Sequence, residues 1–274
     1  MKKILVTNDD GIDAPGLRAL AQALKPLGEI WVVAPEKPQN AVGRCMTLHK
    51  PLRLRKEKKW WYAVNGTPAD CITLTLAHLL KDALPKLVVS GINNGWNLGD
   101  DVTNSGTVSG ALEGMLYGIP SMAVSLEGTL KSQYAMAGEV AVTIAWQILK
   151  NGLPPHTILN VNVPGCTNAQ LAGLQITSLS QRRYHNPVVE NIDPRGNRYF
   201  WIAGERISWS RRSPSDYEAV SNNLVSITPL HLDLTDYSAL TKLKSWEQDL
   251  SFSTSYKKIG VNKKMSRTAK DWTK

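Results

Sequence analysis

Two adjacent carboxylates, Asp9 and Asp10, follow the short β-branched run Ile4–Thr7 and precede Gly11. Like charges confined at a strand end repel each other, and a bound cation offsets that repulsion directly. Two further loops leave apolar runs carrying oxygen-bearing side chains. One is Pro35-Glu36-Lys37-Pro38-Gln39-Asn40, after Ile30–Ala34; the other is Ser90-Gly91-Ile92-Asn93-Asn94-Gly95, after Leu87–Val89. Neither offers His or Cys at metal-ligand spacing. Carboxylates together with amide oxygens favour a hard divalent cation such as Mg²⁺, Mn²⁺ or Ca²⁺ over zinc. The competing structural reading has one of Asp9 and Asp10 capping the helix that opens near Pro15, or an Asx turn beside Gly11.

A second constellation is Asn104-Ser105-Gly106-Thr107-Val108-Ser109-Gly110-Ala111. Ser105 and Thr107 supply hydroxyls, Gly106 admits close backbone approach, and the amides of a first helical turn have no partner within the helix. That combination suits a phosphate. A plain Ser N-cap, with Ser109 and Gly110 packed on a sheet, explains the same residues equally well when they are taken alone. Beside a cation site the phosphate reading gains. Other chemistries lack their patterns: there is no GxxxxGK[ST], no GxGxxG after a strand and no GxSxG. Gly11 stands two residues after Asp9, where an aspartyl-phosphate enzyme needs a second Asp, so a covalent aspartyl mechanism is disfavoured.

The elements that must position these residues alternate over the first 165 positions. Ile4–Thr7, Ile30–Ala34, Leu87–Val89, Ser121–Leu126 and Ile158–Val163 read as interior strands, apolar on both faces. Between them lie helical patterns opening at Pro15, at Pro68 and near Thr107, and a long one over Tyr134–Leu149. Met46–Leu54 and Trp60–Val64 read as a hairpin-like excursion, with Trp60-Trp61 taken as hairpin packing rather than a base-stacking platform. Repeated β-then-α units predict an α/β fold, a Rossmann-like, doubly wound, mostly parallel sheet. Ligands of such a sheet gather where loops leave the carboxyl ends of its strands, so all the loops above fall on one rim. After Pro164, Gln181–Tyr184, Asp193–Gly196 and Tyr199–Trp201 read as extended hairpin arms with too little apolar content for a second core. Leu224–Thr228 returns to strand and Ala239–Trp246 to a short helix. The expected organisation is a catalytic core over 1–165, arms and an oligomerisation segment over 166–250, and a basic tail over 251–274.

Of 274 residues, 42% are hydrophobic and 20% charged, which excludes a mainly disordered chain. No apolar run approaches the ~18 residues that span a bilayer, and the three-residue run Ile4–Val6 is too short for a signal core. A cytoplasmic protein is expected. Cys45, Cys71 and Cys166 form no CxxC pair and read as buried small hydrophobes. Of the net charge of +9, six units belong to residues 251–274, which hold seven Lys or Arg against Asp271. A solvated tail is the expectation, with neither a membrane nor a specific nucleic acid as partner.

Together the segments ILVTNDDGIDAPG at 4–16, VVAPEKPQNAVG at 32–43, TLHKPLR at 47–53, NGTPADC at 65–71, LVVSGINNGWNLGDDVTNSGTVSGALEG at 87–114 and VSITPLH at 225–231 resemble the stationary-phase survival protein SurE family. The resemblance implies a metal-dependent phosphatase acting on nucleoside 5′- and 3′-monophosphates, with short polyphosphate a substrate of some members. It also implies a Rossmann-like core and a homodimer or homotetramer built through exchanged C-terminal arms. Carried over by position, the metal ligands fall on Asp9, Asp10, Asn40 and Asn93. Where Asn40 stands the family usually has Ser, preceded by Arg in place of Gln39. The expected roles are Asp9 or Asp10 activating water and Asn97, Ser105, Gly106 and Thr107 holding phosphoryl oxygens. The rival expectation is a non-catalytic nucleotide- or RNA-binding protein using the same fold and the tail.

Overall fold

The computed structural model describes residues 2–185, 188–202, 206–210 and 214–249; the basic tail over 251–274 lies outside the described residues. The chain divides into two compact units, residues 1–231 and 232–274.

In the first unit, strand β1 (Lys3–Thr7) leads to helix α1 (Pro15–Ala23), then β2 (Glu29–Pro35), β3 (Leu54–Lys58), β4 (Trp61–Val64) and helix α2 (Pro68–Leu74), which continues as a π-turn over Thr75–Leu79. Next come β5 (Leu87–Asn94), helix α3 (Gly106–Leu116), β6 (Ser121–Leu126), helix α4 (Lys131–Asn151) and β7 (Ile158–Val163). The arm region holds β8 (Gly173–Ile176), β9 (Gln181–His185), β10 (Val188–Ile192), β11 (Arg198–Ile202), β12 (Arg206–Ser210), helix α5 (Asp216–Ser221) and β13 (Leu224–Leu230). Nine strands form one sheet in the order β3-β4-β2-β1-β5-β6-β7-β13-β8. From β4 to β7 every neighbouring pair is parallel, whereas β3 and β13 run antiparallel to β4 and β7. The expected α/β class and mostly parallel sheet are both observed.

Alternation along the interior strands sorts the core. Ile4, Val6, Ile30, Val32, Leu87 and Val89 face α1 and α4, packing on Leu17, Leu20, Ala137 and Ala141. On the opposite face Leu5, Val33 and Val88 pack with Cys71, Ile72 and Leu76. Pro15 opens α1 and its buried positions 16, 17, 20 and 21 recur at helical spacing. Helix α3 is buried along nearly its whole length because its residues are small. A Cβ at Gly110 would sit 2.8 Å from Ser90 Oγ, and one at Gly114 would sit 2.8 Å from Val88 Cγ2. Those glycines bring α3 directly onto β1, β5 and β6.

The region after Pro164 contributes more to the core than its composition suggests. Strands β13 and β8 extend the main sheet, and Ala219, Val220, Val225 and Ile227 are buried. A strand sandwiched between two others needs only a short apolar run to be covered, and Leu224–Thr228 supplies one. The remainder does form arms: β9 pairs with β12 and β10 with β11, each as an antiparallel ladder separate from the main sheet. Ile192, Phe200 and Trp201 on the second ladder are exposed in this chain. A further correction concerns the cysteines, since Cys71 alone is fully buried; Cys166 is half-buried and Cys45, in the long loop before β3, is exposed.

The second unit carries helix α6 (Tyr237–Leu243) and helix α7 (Trp246–Asp249). Asp236 caps α6 by accepting from the amides of Ser238 and Ala239. Among the described residues no helix is long and apolar enough to cross a membrane.

Candidate active site

Strand β1 has β2 on one side and β5 on the other, so the sheet's order reverses there, and in sheets of this kind the ligand crevice lies beyond the carboxyl ends of the strands at that point. Asp9 and Asp10 stand at that crevice. The Asp9 side chain is buried and its Oδ1 accepts from the Thr107 hydroxyl at the start of α3. Its backbone carbonyl accepts from the Gln39 amide at 2.7 Å. Asp10 is half-buried, and its Oδ2 accepts from the Asn94 amide at 3.2 Å. Neither aspartate caps α1, whose N-cap is Ala14 with no side-chain hydrogen bond. The turn is held instead by Asn8, whose Nδ2 donates to the Gly11 carbonyl at 3.0 Å. Both carboxylates therefore remain available to a ligand.

Their electrostatics follow from that placement. Burial raises the Asp9 pKa from 3.8 to about 6; the neighbouring Asp10 charge pushes the same way, and the Thr107 hydrogen bond holds it back. Burial also raises Asp10, against the Asn94 amide, which favours the ionised form. Two carboxylates held in this state are each a standing demand for positive charge.

The loop after β2 carries Gln39 and Asn40 to the same crevice. The Gln39 amide is bonded to Asp9, so Asn40 is one residue from that contact, and its side chain is exposed. The rest of the loop is pinned: the Gly43 amide donates to Asn104 O at 2.9 Å, Arg44 pairs with buried Glu113 at 3.3 Å, and Thr47 donates to both oxygens of Asp70. Asp70 also closes a capping box with Thr67 at the start of α2. The NGTPAD turn therefore anchors the loop that follows β2.

On the other side, β5 ends in a bulge between Gly91 and Asn93, with a cis Gly91–Ile92 peptide. Asn93 is half-buried and its Nδ2 donates to Gly95 O at 2.8 Å, which leaves its Oδ1 free of that bond. Asn97 is buried in a polar network. Its amide donates to Asn162 Oδ1, its carbonyl accepts from both Asn160 and Asn162, and its Nδ2 donates to Ser125 Oγ at 2.7 Å. Asp216 Oδ2 accepts from the Gly99 amide two residues later, and its Oδ1 accepts from the Ser180 and Tyr217 amides. Sequence reasoning missed Asn160, Asn162, Asp216 and the Arg44–Glu113 pair. Only Asp216 left a visible signal, in Ser215-Asp216-Tyr217-Glu218, where Ser215 caps α5 through the Glu218 amide.

At the start of α3 the capping role of Ser105 is observed. Its Oγ accepts from the Val108 amide at 3.1 Å, so it is the N-cap, and Ser109 and Gly110 do pack on the sheet. The helix opening nevertheless abuts the aspartates. A Cβ on Gly106 would lie 2.7 Å from Asp9 Cβ and 2.9 Å from its Oδ2, so only glycine allows the first turn to meet the carboxylate this closely. Thr107 spends both its hydroxyl and its amide on Asp9, and the Val108 amide is taken by Ser105, which leaves the Gly106 amide and the helix dipole as the anion-attracting groups here.

Among the described residues no group of three or more His, Cys, Asp or Glu converges. The donor chemistry fits a hard cation: two carboxylates, with the half-buried Asn93 amide, whose Nδ2 is turned to Gly95 O, on the neighbouring strand end.

Fold and site together define a Rossmann-like α/β protein whose acidic, amide-rimmed crevice sits at the topological switch point of its sheet. The family model "Survival protein SurE" matches residues 4–186. A protein of Geotalea daltonii named 5'-nucleotidase SurE is 49% identical over 249 residues, covering 89% of this chain and 99% of that protein. One of Geobacter metallireducens with the same name is 48% identical, covering 89% of this chain and 97% of its own. The crystal structure of the SurE protein from Aquifex aeolicus superposes with a TM-score of 0.81 at 44% identity, over 89% of this chain and 99% of that one. The chain belongs to the SurE family.

Proposed function

We propose that this chain is a phosphomonoesterase that hydrolyses nucleoside 5′-monophosphates to nucleoside and phosphate. The observation that carries the reading is the buried Asp9 carboxylate, beside Asp10 and pressed against the glycine that opens α3. The relatives named 5'-nucleotidase SurE support the substrate class.

Asp9, Asp10, Asn40 and Asn93 are the residues that would hold a divalent cation, Mg²⁺, Mn²⁺ or Ca²⁺. Such an ion, when bound, supplies charge neutralisation and Lewis acidity toward a phosphoryl oxygen. The residues' own contributions follow from placement. The Gly106 amide in the first turn of α3, with Ser105, Thr107 and Asn97 alongside, orients the phosphoryl group and meets the charge that grows on its oxygens. Thr107 fixes the Asp9 carboxylate, and the network through Asn162 fixes the backbone of Asn97. One of the two aspartates accepts a proton from the attacking water. The water oxygen bonds to phosphorus as the ester P–O bond breaks, and the departing nucleoside oxygen takes up a proton.

The same site would accept 3′-monophosphates and short polyphosphate, since its grip is on the phosphoryl group. The exposed apolar faces of β10–β11 suit assembly with a second copy as a homodimer or homotetramer, with residues 1–165 as catalytic core and 166–250 completing it. Three free cysteines suit a reducing compartment, which supports the cytoplasm as location.

The test is release of inorganic phosphate from AMP, CMP, GMP and UMP with Mg²⁺ or Mn²⁺, and again after EDTA. Release that stops in EDTA and returns on re-addition of the cation is expected. Undiminished release in EDTA rejects the cation; no release from any of the four nucleotides with either cation rejects the function.

A further inference from the structure

Opposite the crevice, at the amino rim of the sheet, a cleft of about 680 Å³ lies between α1 and the β3–β4 hairpin. Its walls carry Lys25 from the short turn after α1, Lys58 and Lys59 from the hairpin, and the indoles of Trp60 and Trp61. We propose that this cleft binds single-stranded oligonucleotide, with bases stacked on Trp60 and Trp61 and phosphates on the lysines. The proposal is independent of the hydrolytic reading, since none of these residues belongs to the crevice.

Three observations carry it. Cations and rings are already interleaved: the Lys58 ammonium lies 4.0 Å from the Trp61 ring centre and Lys59 lies 4.3 Å from that of Trp60. Among the described residues neither lysine is paired with a carboxylate. Aromatic faces beside unpaired cations are what a strand of unpaired bases requires, because every base has a π-face and every linkage a charge.

The hairpin turn also departs from what a turn alone would select. Lys58 pairs with Trp61, leaving Lys59 and Trp60 as the loop, and Trp60 sits at φ +62°. That left-handed conformation is served by Gly or Asn and resisted by a bulky side chain. A Trp kept at such a position, stacked on Trp31 at 6.2 Å yet still partly exposed, points to a use for its ring.

Finally, the charge extends beyond the cleft. Residues 50–59 hold Lys50, Arg53, Arg55, Lys56, Lys58 and Lys59 against Glu57 alone. Arg55 is engaged by Glu57 at 2.6 Å. Strand β3 runs from Leu54, opposite Val64 at the carboxyl rim, to Lys58, opposite Trp61 at the amino rim. At ~3.4 Å per residue this basic edge is about 17 Å long, too long a track for one mononucleotide and suited to a backbone of several. Lysines on an edge strand also deter sheet-to-sheet pairing, and Trp61 packs on the core while Trp60 stacks on Trp31, but neither role calls for a bulky ring at the left-handed turn position. Duplex is the poorer fit, because its bases are already stacked on each other.

The experiment uses the full chain in EDTA and follows the anisotropy of a fluorescein-labelled single-stranded 12-mer at two salt concentrations. Binding that weakens steeply with salt is expected, as counterion release requires. The charge-reversed pair K58E/K59E and the variant W60N should each weaken it by ~10-fold or more, by the loss of phosphate and stacking contacts. Asn suits the turn, so W60N should melt no lower than the parent, and AMP hydrolysis by both variants should stay at the parental rate. The proposal is overturned by absence of binding, by binding that both variants leave intact, or by a mononucleotide or duplex competing as well as the single strand.

Discussion

Replacing Thr107 by Val removes one hydroxyl at nearly constant shape, and that hydroxyl donates to Asp9 Oδ1. A hydrogen bond to a buried ionised group is worth about 1.5–3 kcal/mol, which at about 1.4 kcal/mol per pKa unit moves a carboxyl by about 1–2 units. In the cation-free protein the Asp9 pKa, at about 6 in the parent, should therefore rise to about 7–8 in T107V. The direction of the stability change follows. Asp9 is harder to ionise folded than unfolded, so its contribution is whole below pH 3.8 and is lost as pH climbs through the folded value. For the parent that loss is about 3 kcal/mol between pH 3.8 and about 6. In T107V the decline should begin at the same pH and run on to about pH 8, ending about 1.5–3 kcal/mol lower. Urea unfolding in EDTA at pH 5, 6, 7, 8 and 9 reads this directly. Variant and parent should nearly coincide at pH 5 and separate as the pH rises. Curves that stay parallel over the whole range would show that Thr107 does not hold the Asp9 charge, and the site's electrostatics would have to be rebuilt.

Asp9→Asn makes the complementary test: phosphate release from AMP should fall by ~10²–10⁴-fold, while cation-free stability at pH 8 should rise by up to about 3 kcal/mol because the buried charge is gone. Gly106→Ala places a methyl 2.7 Å from Asp9 Cβ, so it should cost about 1–3 kcal/mol in thermal or urea unfolding and lower kcat by ~10²-fold through a misplaced carboxylate. Asp216→Ala strands the amides of Gly99, Ser180 and Tyr217, at about 1–3 kcal/mol for each amide that water does not reach. Its activity loss should appear in kcat as well as KM, since the loop it anchors carries Asn97, which meets the charge growing on the phosphoryl oxygens.

The local parts of this protein were legible in its residue order. Strands β1, β2, β5, β6 and β7 announce themselves as short apolar runs, because a parallel strand covered on both faces must be apolar throughout. Pro15 and Pro68 mark helix starts because their fixed φ and missing amide suit a first turn. Asp9 and Asp10 could be placed on the carboxyl rim for the same reason, since whatever follows such a strand emerges there. What the order of residues left open depended on partners distant along the chain. Whether Ser105 caps a helix or holds an anion turns on where its own Val108 amide points, and Thr107 proves to serve Asp9, 98 positions away. The burial that lifts Asp9 exists only once α3 lies on the sheet, which Gly106, Gly110 and Gly114 permit by having no side chain. Likewise Val225 and Ile227 look too few to build a core until β13 is inserted between β7 and β8, where neighbours on both sides cover them. Chain chemistry thus names the groups, and folding assigns each one its neighbour, because desolvation and hydrogen bonding are properties of a place rather than of a residue.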